Sequence, residues 1–391
     1  MFKNNTHKYL LIVFTFTAVG FKNCGESDMV DVKSIDKKRI ITAAEKYLND
    51  EPVTVTSFKC ERSSGGNNDF YSEGDYWWPD PENPNGPYIR KDGLTNPDNF
   101  TKHREAMREM SLKVAALVAA YKITQDKKYA DAALKHLNAW FAVEDTKMNP
   151  HMLYAQAIKG RVTGRGIGII DTIHLVEVAQ TIIVLLDTNY ITRSEAEPII
   201  KWFEDYLNWL IEHPFGYEEK NNGNNHSTCY IMQAAEFAKL TGNEKVLQEC
   251  RKFYKSDILP LQVEADGSFP KELKRTKPYG YSLFNMDAMG MVCLTLSTED
   301  ENLWEYETAD GKSFKKAVEF MYPFIADKSK WNLPPDVMYH DEWPVRHPSL
   351  LFAGLAYNEE KYIELWKKLD PDSDVEEVNR NFPIRQPILW M

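Results

Sequence analysis

The sequence predicts an all-α chain folded as an α/α toroid, an incomplete barrel of serial antiparallel helical hairpins with long aromatic-rich loops over a cleft. Three observations predict it. Apolar residues recur at the helical period through most of the chain beyond Asn99. The periodic stretches come in pairs joined by about four or five residues, a length that returns the second helix against the first. Nothing alternates at period two for long, so any strands are short and peripheral.

The first 23 residues read as an export signal. Lys3 and Lys8 supply a positive start and Leu10 to Gly20 an apolar stretch too short to span a bilayer. Cys24 follows, and CGESD resembles the mature start of a bacterial lipoprotein. The expectation is an exported protein, periplasmic or an outer-membrane lipoprotein, that meets a membrane only through an N-terminal lipid. Residues 25–391 are expected to form one catalytic domain.

Asn99 to Lys122 carries Met107, Met110, Val114, Leu117, Val118 and Tyr121 on one stripe. The break TQDKK leads into Tyr129 to Phe141, with Ala130, Ala133, Leu134, Leu137, Trp140 and Phe141 apolar. Asp171 to Leu186 pairs with Thr192 to Ile211 across DTNYI. Ser227 to Leu240 pairs with Asn243 to Tyr254 across Thr241-Gly242, where glycine suits a helix C-terminus. Ser282 to Leu296, Ser313 to Ile325, Ser349 to Ala356 and Glu359 to Leu369 complete the series. The hairpins have no constant length, which argues against a tetratricopeptide-type array.

Between the helices lie long loops: Ser63 to Asn99, His213 to Asn225, Asp266 to Gly280 and Trp331 to Pro348. Loops this long in a compact domain are usually functional or disordered. Trp77, Trp78, Trp331 and Trp343 favour ordered cleft walls, and aromatics flanked by Asn, Asp and Arg suit sugar rings. The four cysteines after Cys24 are far apart, which excludes a disulfide scaffold or zinc ribbon. Free buried thiols are expected.

Formal charge is −11, and −14 once Lys3, Lys8 and Lys22 are discounted. Such acidity argues against nucleic acid as a partner. It also requires local positive charge for any polyanion, and Lys271, Lys274, Arg275 and Lys277 against Glu272 are one such concentration.

Two segments carry chemistry. NNGNNHSTCYI (221–231) is a polar loop that ends in Asn224, Asn225 and His226 and runs into a helix. KELKRTKPYGYSLFN (271–285) places Arg275, Tyr279 and Tyr281 within seven residues. Asn, His, Arg and Tyr suit proton removal beside a carboxylate. The C5 proton of a uronic acid is weakly acidic, because its loss puts a second charge on an already charged group. Elimination therefore needs donors that neutralise the carboxylate, a base for C5, and an acid for the departing glycosidic oxygen. Neutral His serves as base. A Tyr beside Arg serves as either, since nearby positive charge favours the phenolate. No metal and no cofactor are required, and no HExxH or carboxylate–histidine cluster suggests a metal.

NNHS opening a helix, followed about fifty residues later by DGSFPKELKR and then a tyrosine, resembles the alginate lyase superfamily of α/α-toroid polysaccharide lyases. The motifs are similar to those of family 5. The DYWWPDPENPNGPYIR and HDEWP segments look closer to the Bacteroidetes proteins of polysaccharide lyase family 38. The resemblance runs from about Tyr76 to Pro348. It implies that Asn225 neutralises the carboxylate and that His226 is the base for one C5 epimer or assists neutralisation. Arg275 then tunes the tyrosine, and Tyr281 is the acid, doubling as base where proton and leaving group are syn. The Arg275–Tyr281 spacing is one residue shorter than the family's, which leaves Tyr279 as the competing candidate.

Substrate contacts are expected from Trp77, Trp78, Arg165, Asn224, Lys277, Tyr279, His340, Trp343 and Arg346. The expected partner is an acidic polysaccharide, alginate or a related polyuronate such as glucuronan. The rivals are an α/α-barrel glycoside hydrolase using two of Asp75, Asp80, Asp171, Asp341 and Glu342, and a non-catalytic glycan-binding lipoprotein.

Overall fold

The computed structural model describes residues 29–391. The export signal and Cys24 lie outside the described residues. The helices are α1 (Val32–Tyr47), α2 (Lys102–Thr124), α3 (Lys127–Phe141), α4 (Leu175–Asp187), α5 (Arg193–Glu212), α6 (Pro214–Lys220), α7 (Asn225–Thr241) and α8 (Glu244–Phe253). They continue as α9 (Leu259–Gln262), α10 (Pro270–Leu273), α11 (Pro278–Leu296), α12 (Phe314–Ala326), α13 (Pro348–Tyr357), α14 (Glu360–Lys368) and α15 (Glu376–Arg380).

Five helices form an inner row in which each packs on the next: α2, α4, α7, α11 and α13. Six more back them: α1 and α3 on α2, α5 and α8 on α7, α12 on α11, and α14 on α13. Composition explains the two layers. An inner helix touches protein on most sides and is largely buried, whereas an outer helix needs only one apolar stripe. In α11 every residue is buried except Tyr281, Leu294 and Thr295; in α7 the exceptions are His226, Lys239 and Thr241. Outer α3 buries Tyr129, Ala130, Ala133, His136, Leu137, Trp140 and Phe141, a single stripe.

The α/α toroid expected from the periodicity is the fold observed. One pairing differs: α4 has α2 and α7 as its principal neighbours, and α5 lies mainly against α7. Apolar on both sides, α4 belongs to the inner row rather than to a free-standing hairpin. Two segments read as loop are helical. α6 starts at Pro214 with the His213 ring accepting from the Phe215 N–H at 3.1 Å, and α10 lies within the stretch Asp266 to Gly280; α1 and the short α15 form where no helix was expected. The strands are short, as expected: β1 (Tyr71–Glu73), β2 (Trp77–Trp78), β3 (Ile89–Arg90) and β4 (Tyr154–Ala157). β1 pairs parallel with β4, and β2 antiparallel with β3, setting Trp77 opposite Arg90. Cys60, Cys229, Cys250 and Cys293 are free thiols.

The C-terminal segment binds several elements together. Glu376 pairs with Arg108 of α2, Glu377 with Lys277 before α11, and Arg380 with Asp75 before β2. Further on, the Arg385 and Gln386 N–H groups both donate to buried Glu177 of α4, at 2.8 and 2.6 Å.

α6 folds back tightly on the end of α5. A Cβ at Gly216 would lie 1.7 Å from the Leu210 carbonyl oxygen, so only glycine fits. Gly216→Ala is expected to force α6 outward at a cost of about 1–3 kcal/mol. A lowered thermal midpoint checks this, and an unchanged one contradicts the tight corner.

Candidate active site

The turn into α7 is built from its own side chains. Gly223 adopts φ +80, and its N–H donates to Ser227 Oγ at 2.6 Å. The Asn224 Oδ1 caps the helix by accepting from the His226 N–H at 3.0 Å, so this oxygen is committed to structure. Asn225 and His226 thereby sit in the first turn of an inner helix, where unpaired N–H groups and the helix dipole favour negative charge.

Each is held by a buried glutamate. Glu272 of α10 accepts from the Asn225 N–H at 2.8 Å and from its Nδ2 at 2.6 Å. Glu219 of α6 meets His226 Nδ1 at 2.8 Å. Burial raises the pKa of both carboxyls, opposed at Glu219 by the imidazole and at Glu272 by the Asn225 donors. His226 Nε2 makes no hydrogen bond with the described residues, and the ring is partly exposed.

The second segment follows α10 directly. Arg275 pairs with Asp92 at 3.1 Å, stacks over the Tyr281 ring at 4.5 Å, and reaches the Tyr281 hydroxyl at 3.5 Å. That hydroxyl also bonds the Tyr76 hydroxyl at 2.7 Å. Burial, with Tyr76 adding to it, pushes the Tyr281 phenol well above its ordinary pKa, and Arg275 only partly offsets this. Tyr281 is therefore a neutral phenol at rest. The expectation that Arg275 makes a ready phenolate is outweighed by burial.

Tyr279 is placed differently. Its ring is fully buried, its hydroxyl donates to the Phe324 carbonyl at 3.1 Å, and its N–H donates to Asp336. The helical turn that presents Tyr281 sends Tyr279 into the core.

The remaining expected contacts divide. Trp77 is flanked by Arg161 and Arg165 at 5.2 and 5.8 Å from its ring. Arg165 is also fixed to Gln156, at 3.0 Å to its carbonyl and 2.8 Å to its side chain. Trp78 lies beneath Lys91 and donates to the Leu94 carbonyl. These form a strip beside Tyr76. Lys277 points inward to Glu377 at 2.8 Å, with its ammonium over the Tyr76 and Tyr339 rings. Lys271 donates to the Gly223 carbonyl. The basic run is thus not one exposed patch.

Trp343, Trp331 and His340 pack around Tyr279 and His347 rather than standing as walls: Trp343 stacks on His347, Trp331 and His340 sit edge-on to Tyr279, and His340 Nδ1 accepts from the Asp336 N–H. Arg346 is spent on Asp36 of α1 at 2.8 Å and on the Trp366 and Lys367 carbonyls of α14. Its place is at the outer layer, because Asp36 offers a buried charge partner there.

The hydrolase carboxylates do not form an acid–base pair. Asp75 and Asp171 both flank buried Arg104, at 2.7 and 3.6 Å, and Arg380 holds Asp75 from the other side. These guanidiniums hold Asp75 down to about 2 against its burial, the reverse of what a general acid needs. Asp341 and Glu342 are exposed on a separate loop.

Sequence reasoning missed Tyr76, Glu219, Glu272 and Asp92. Tyr76 stood beside two tryptophans that drew attention as sugar platforms. Glu219 lay in a stretch read as loop. Glu272, inside KELKR, was counted only as an offset to positive charge.

The alginate lyase family model matches residues 54–331. Among solved structures, an alginate lyase from Bacteroides ovatus is 30% identical over 89% of this chain and 93% of its own, with TM-score 0.78. Alginate lyase A1-III from Sphingomonas species A1 is 14% identical over 82% of this chain and 88% of its own, with TM-score 0.53, a likeness of fold. A single-residue variant of A1-III complexed with a tetrasaccharide is 15% identical over 91% and 93%, with TM-score 0.58. No curated protein matches the chain.

The Asp75 clamp has a pH signature. Its carboxyl is lowered to about 2 from 3.8, so the stability it contributes is present above pH 4 and lost as pH falls towards 2. That contribution is about 2 kcal/mol. Asp75→Asn should destabilise at pH 5, with the gap to wild type narrowing by about 1–2 kcal/mol by pH 2. Denaturant unfolding across that range checks it; a constant gap contradicts the clamp.

Proposed function

The chain belongs to the alginate lyase family, and on that premise we propose that it cleaves alginate by metal-independent β-elimination, leaving a 4,5-unsaturated uronate at the new non-reducing end. It is a polysaccharide lyase. Glu272 carries the mechanistic reading: it fixes Asn225 and lies within the electrostatic reach of both Arg275 and His226. The NNHS turn and the Arg275–Tyr281 turn are thus two sides of one site.

With one Nδ2 hydrogen on Glu272, Asn225 keeps the other for the substrate carboxylate. This stabilises the charge that develops as the C5–H bond breaks. For one C5 epimer the proton passes to His226 Nε2; for the other, with proton and leaving oxygen syn, Tyr281 takes it as a phenolate, its own proton having first passed to solvent. The electron pair becomes the C4–C5 double bond, the C4–O4 bond breaks, and O4 takes the Tyr281 proton. Arg275 then faces the transient phenolate, and Tyr76 at 2.7 Å is placed to restore its proton. The strip of Trp77, Trp78 and Arg165 suits sugar rings that carry carboxylates. The N-terminal signal and Cys24 support export to the periplasm or an outer-membrane lipoprotein.

Polymannuronate, polyguluronate and glucuronan are the substrates to test, with product sizes and the ultraviolet absorbance of the unsaturated uronate as readouts. Reducing ends formed without that absorbance would overturn the lyase mechanism. Tyr281→Phe and His226→Ala are expected to lower kcat by about 100-fold or more. Tyr279→Phe should stay active while losing about 1 kcal/mol of stability with its hydrogen bond to Phe324. The opposite ranking of the two tyrosines would exchange their roles.

A further inference from the structure

We propose that Glu219 is a positioning residue for His226, fixing the imidazole with Nδ1–H turned inward and Nε2 turned to the substrate. This rests on the lyase reading above and adds a member to its machinery. Glu219 touches no cleft surface: it is fully buried on α6, behind the histidine. One carboxylate oxygen, Oε1, meets Nδ1 at 2.8 Å. The other, Oε2, is buried without a hydrogen-bond partner among the described residues.

Such an arrangement is costly. A buried carboxylate normally needs several donors, and one with a single partner is poorly compensated. Apolar side chains would fill the same space without that cost, so packing does not account for an acid here. Nor does it offset a cluster of cations. Of the charged groups that act on Glu219 most strongly, His226 from α7 favours its charge, whereas Glu218 beside it and Asp171 before α4 oppose it. What it supplies is direction. Free imidazole exchanges its proton between both nitrogens; an acceptor behind Nδ1 selects one tautomer and one ring plane. The link is also rigid. Ser227 Oγ accepts from the Gly223 N–H and donates to the Glu219 carbonyl at 3.3 Å, tying α6 to the first turn of α7.

The assignment joins this histidine to its neighbour: Asn225 is held by Glu272 as His226 is by Glu219, so adjacent residues are braced from two different helices. When Nε2 takes the C5 proton, the imidazolium formed is paired at once with a carboxylate behind it. When Nε2 instead serves the substrate carboxylate, the same geometry aims it.

The test compares Glu219→Leu, which leaves Nδ1 without an acceptor, and Glu219→Gln, which keeps an acceptor without the charge. Folding is checked by circular dichroism and thermal melting. The tautomer is read from 15N spectra of histidine-labelled protein, with the His226 signals assigned by their loss in His226→Ala. Glu219→Leu is expected to lower kcat by about tenfold or more with little change in KM, and to shift His226 from an Nδ1-protonated to a mixed signature. Glu219→Gln should fall between it and wild type in kcat and keep the Nδ1-protonated form.

A folded Glu219→Leu with kcat within about twofold of wild type overturns the assignment, as does loss of kcat with the His226 signals unchanged. Should Glu219→Leu not fold, Glu219→Gln decides: wild-type kcat overturns the assignment, and a loss of about threefold or more at constant KM supports it. A wild-type protein that eliminates none of the polyuronates sinks the lyase reading itself, while the nitrogen signature, which needs no substrate, still reports on the Glu219–His226 contact.

Discussion

The clamp of Glu272 on the first turn of α7 is the contact on which the site depends. Its carboxylate takes the backbone and side-chain N–H groups of Asn225, at 2.8 and 2.6 Å, and so ties the end of one inner helix to the short helix that precedes the next. Two physical needs meet there. A helix N-terminus has unpaired donors and positive potential, and a buried acid has no other means of being satisfied. Arg275 follows three residues after Glu272, so the clamp also fixes where the guanidinium that covers Tyr281 begins its reach. The toroid supplies the rest: inner helices so thoroughly buried that the partly exposed first-turn side chains, His226 in α7 and Tyr281 in α11, are the reactive ones.

Charge is arranged around this pair in buried, mutually compensating sets. Asp75 lies between Arg104 and Arg380, and Glu377 between Lys277 and Arg380. Desolvation cancels part of the attraction in buried pairs, and at Asp75 the attraction still prevails, since its carboxyl is held low. Their effect is also geometric. Asp75 immediately precedes Tyr76, and Lys277 lies over the Tyr76 ring, so the C-terminal segment that carries Glu377 and Arg380 reaches the tyrosine pair at one remove. Residues beyond the span matched by the family model thereby take part in holding the site.

The helical architecture was legible because it is written in periodicity. From α2 onward each long helix falls within a few residues of its expected limits, while α1 was not foreseen, and the Gly242 stop is a left-handed C-cap as the residue type implies. The reactive pairs were legible in part. Asn225, His226, Arg275 and Tyr281 carry distinctive side chains in short motifs. Their supports were not: Glu219, Glu272 and Asp92 are ordinary acids, and only the tertiary fold reveals which acids are buried against which donors. Arg346 illustrates the converse. In sequence it stood in a loop rich in His and Trp; in space its charge partner is Asp36, more than three hundred residues earlier.

The tyrosine choice shows why local spacing alone could not decide. Tyr279 and Tyr281 are two residues apart, about 200° around a helix, so one of them had to face the core and the other the cleft. Burial then sets the chemistry of the survivor. Arg275 draws the Tyr281 phenol towards ionisation, but desolvation and the Tyr76 hydroxyl act more strongly in the other direction. A phenol that resists ionisation is a poor resting base and a well-kept proton donor. Where the reaction asks Tyr281 to accept a proton first, its own must leave before substrate closes the cleft. The Tyr76 hydroxyl, 2.7 Å away, can relay that proton by passing its own to solvent as it takes the one from Tyr281, and the return runs in reverse, which makes the loop that carries Tyr76 part of the proton path as well as a wall.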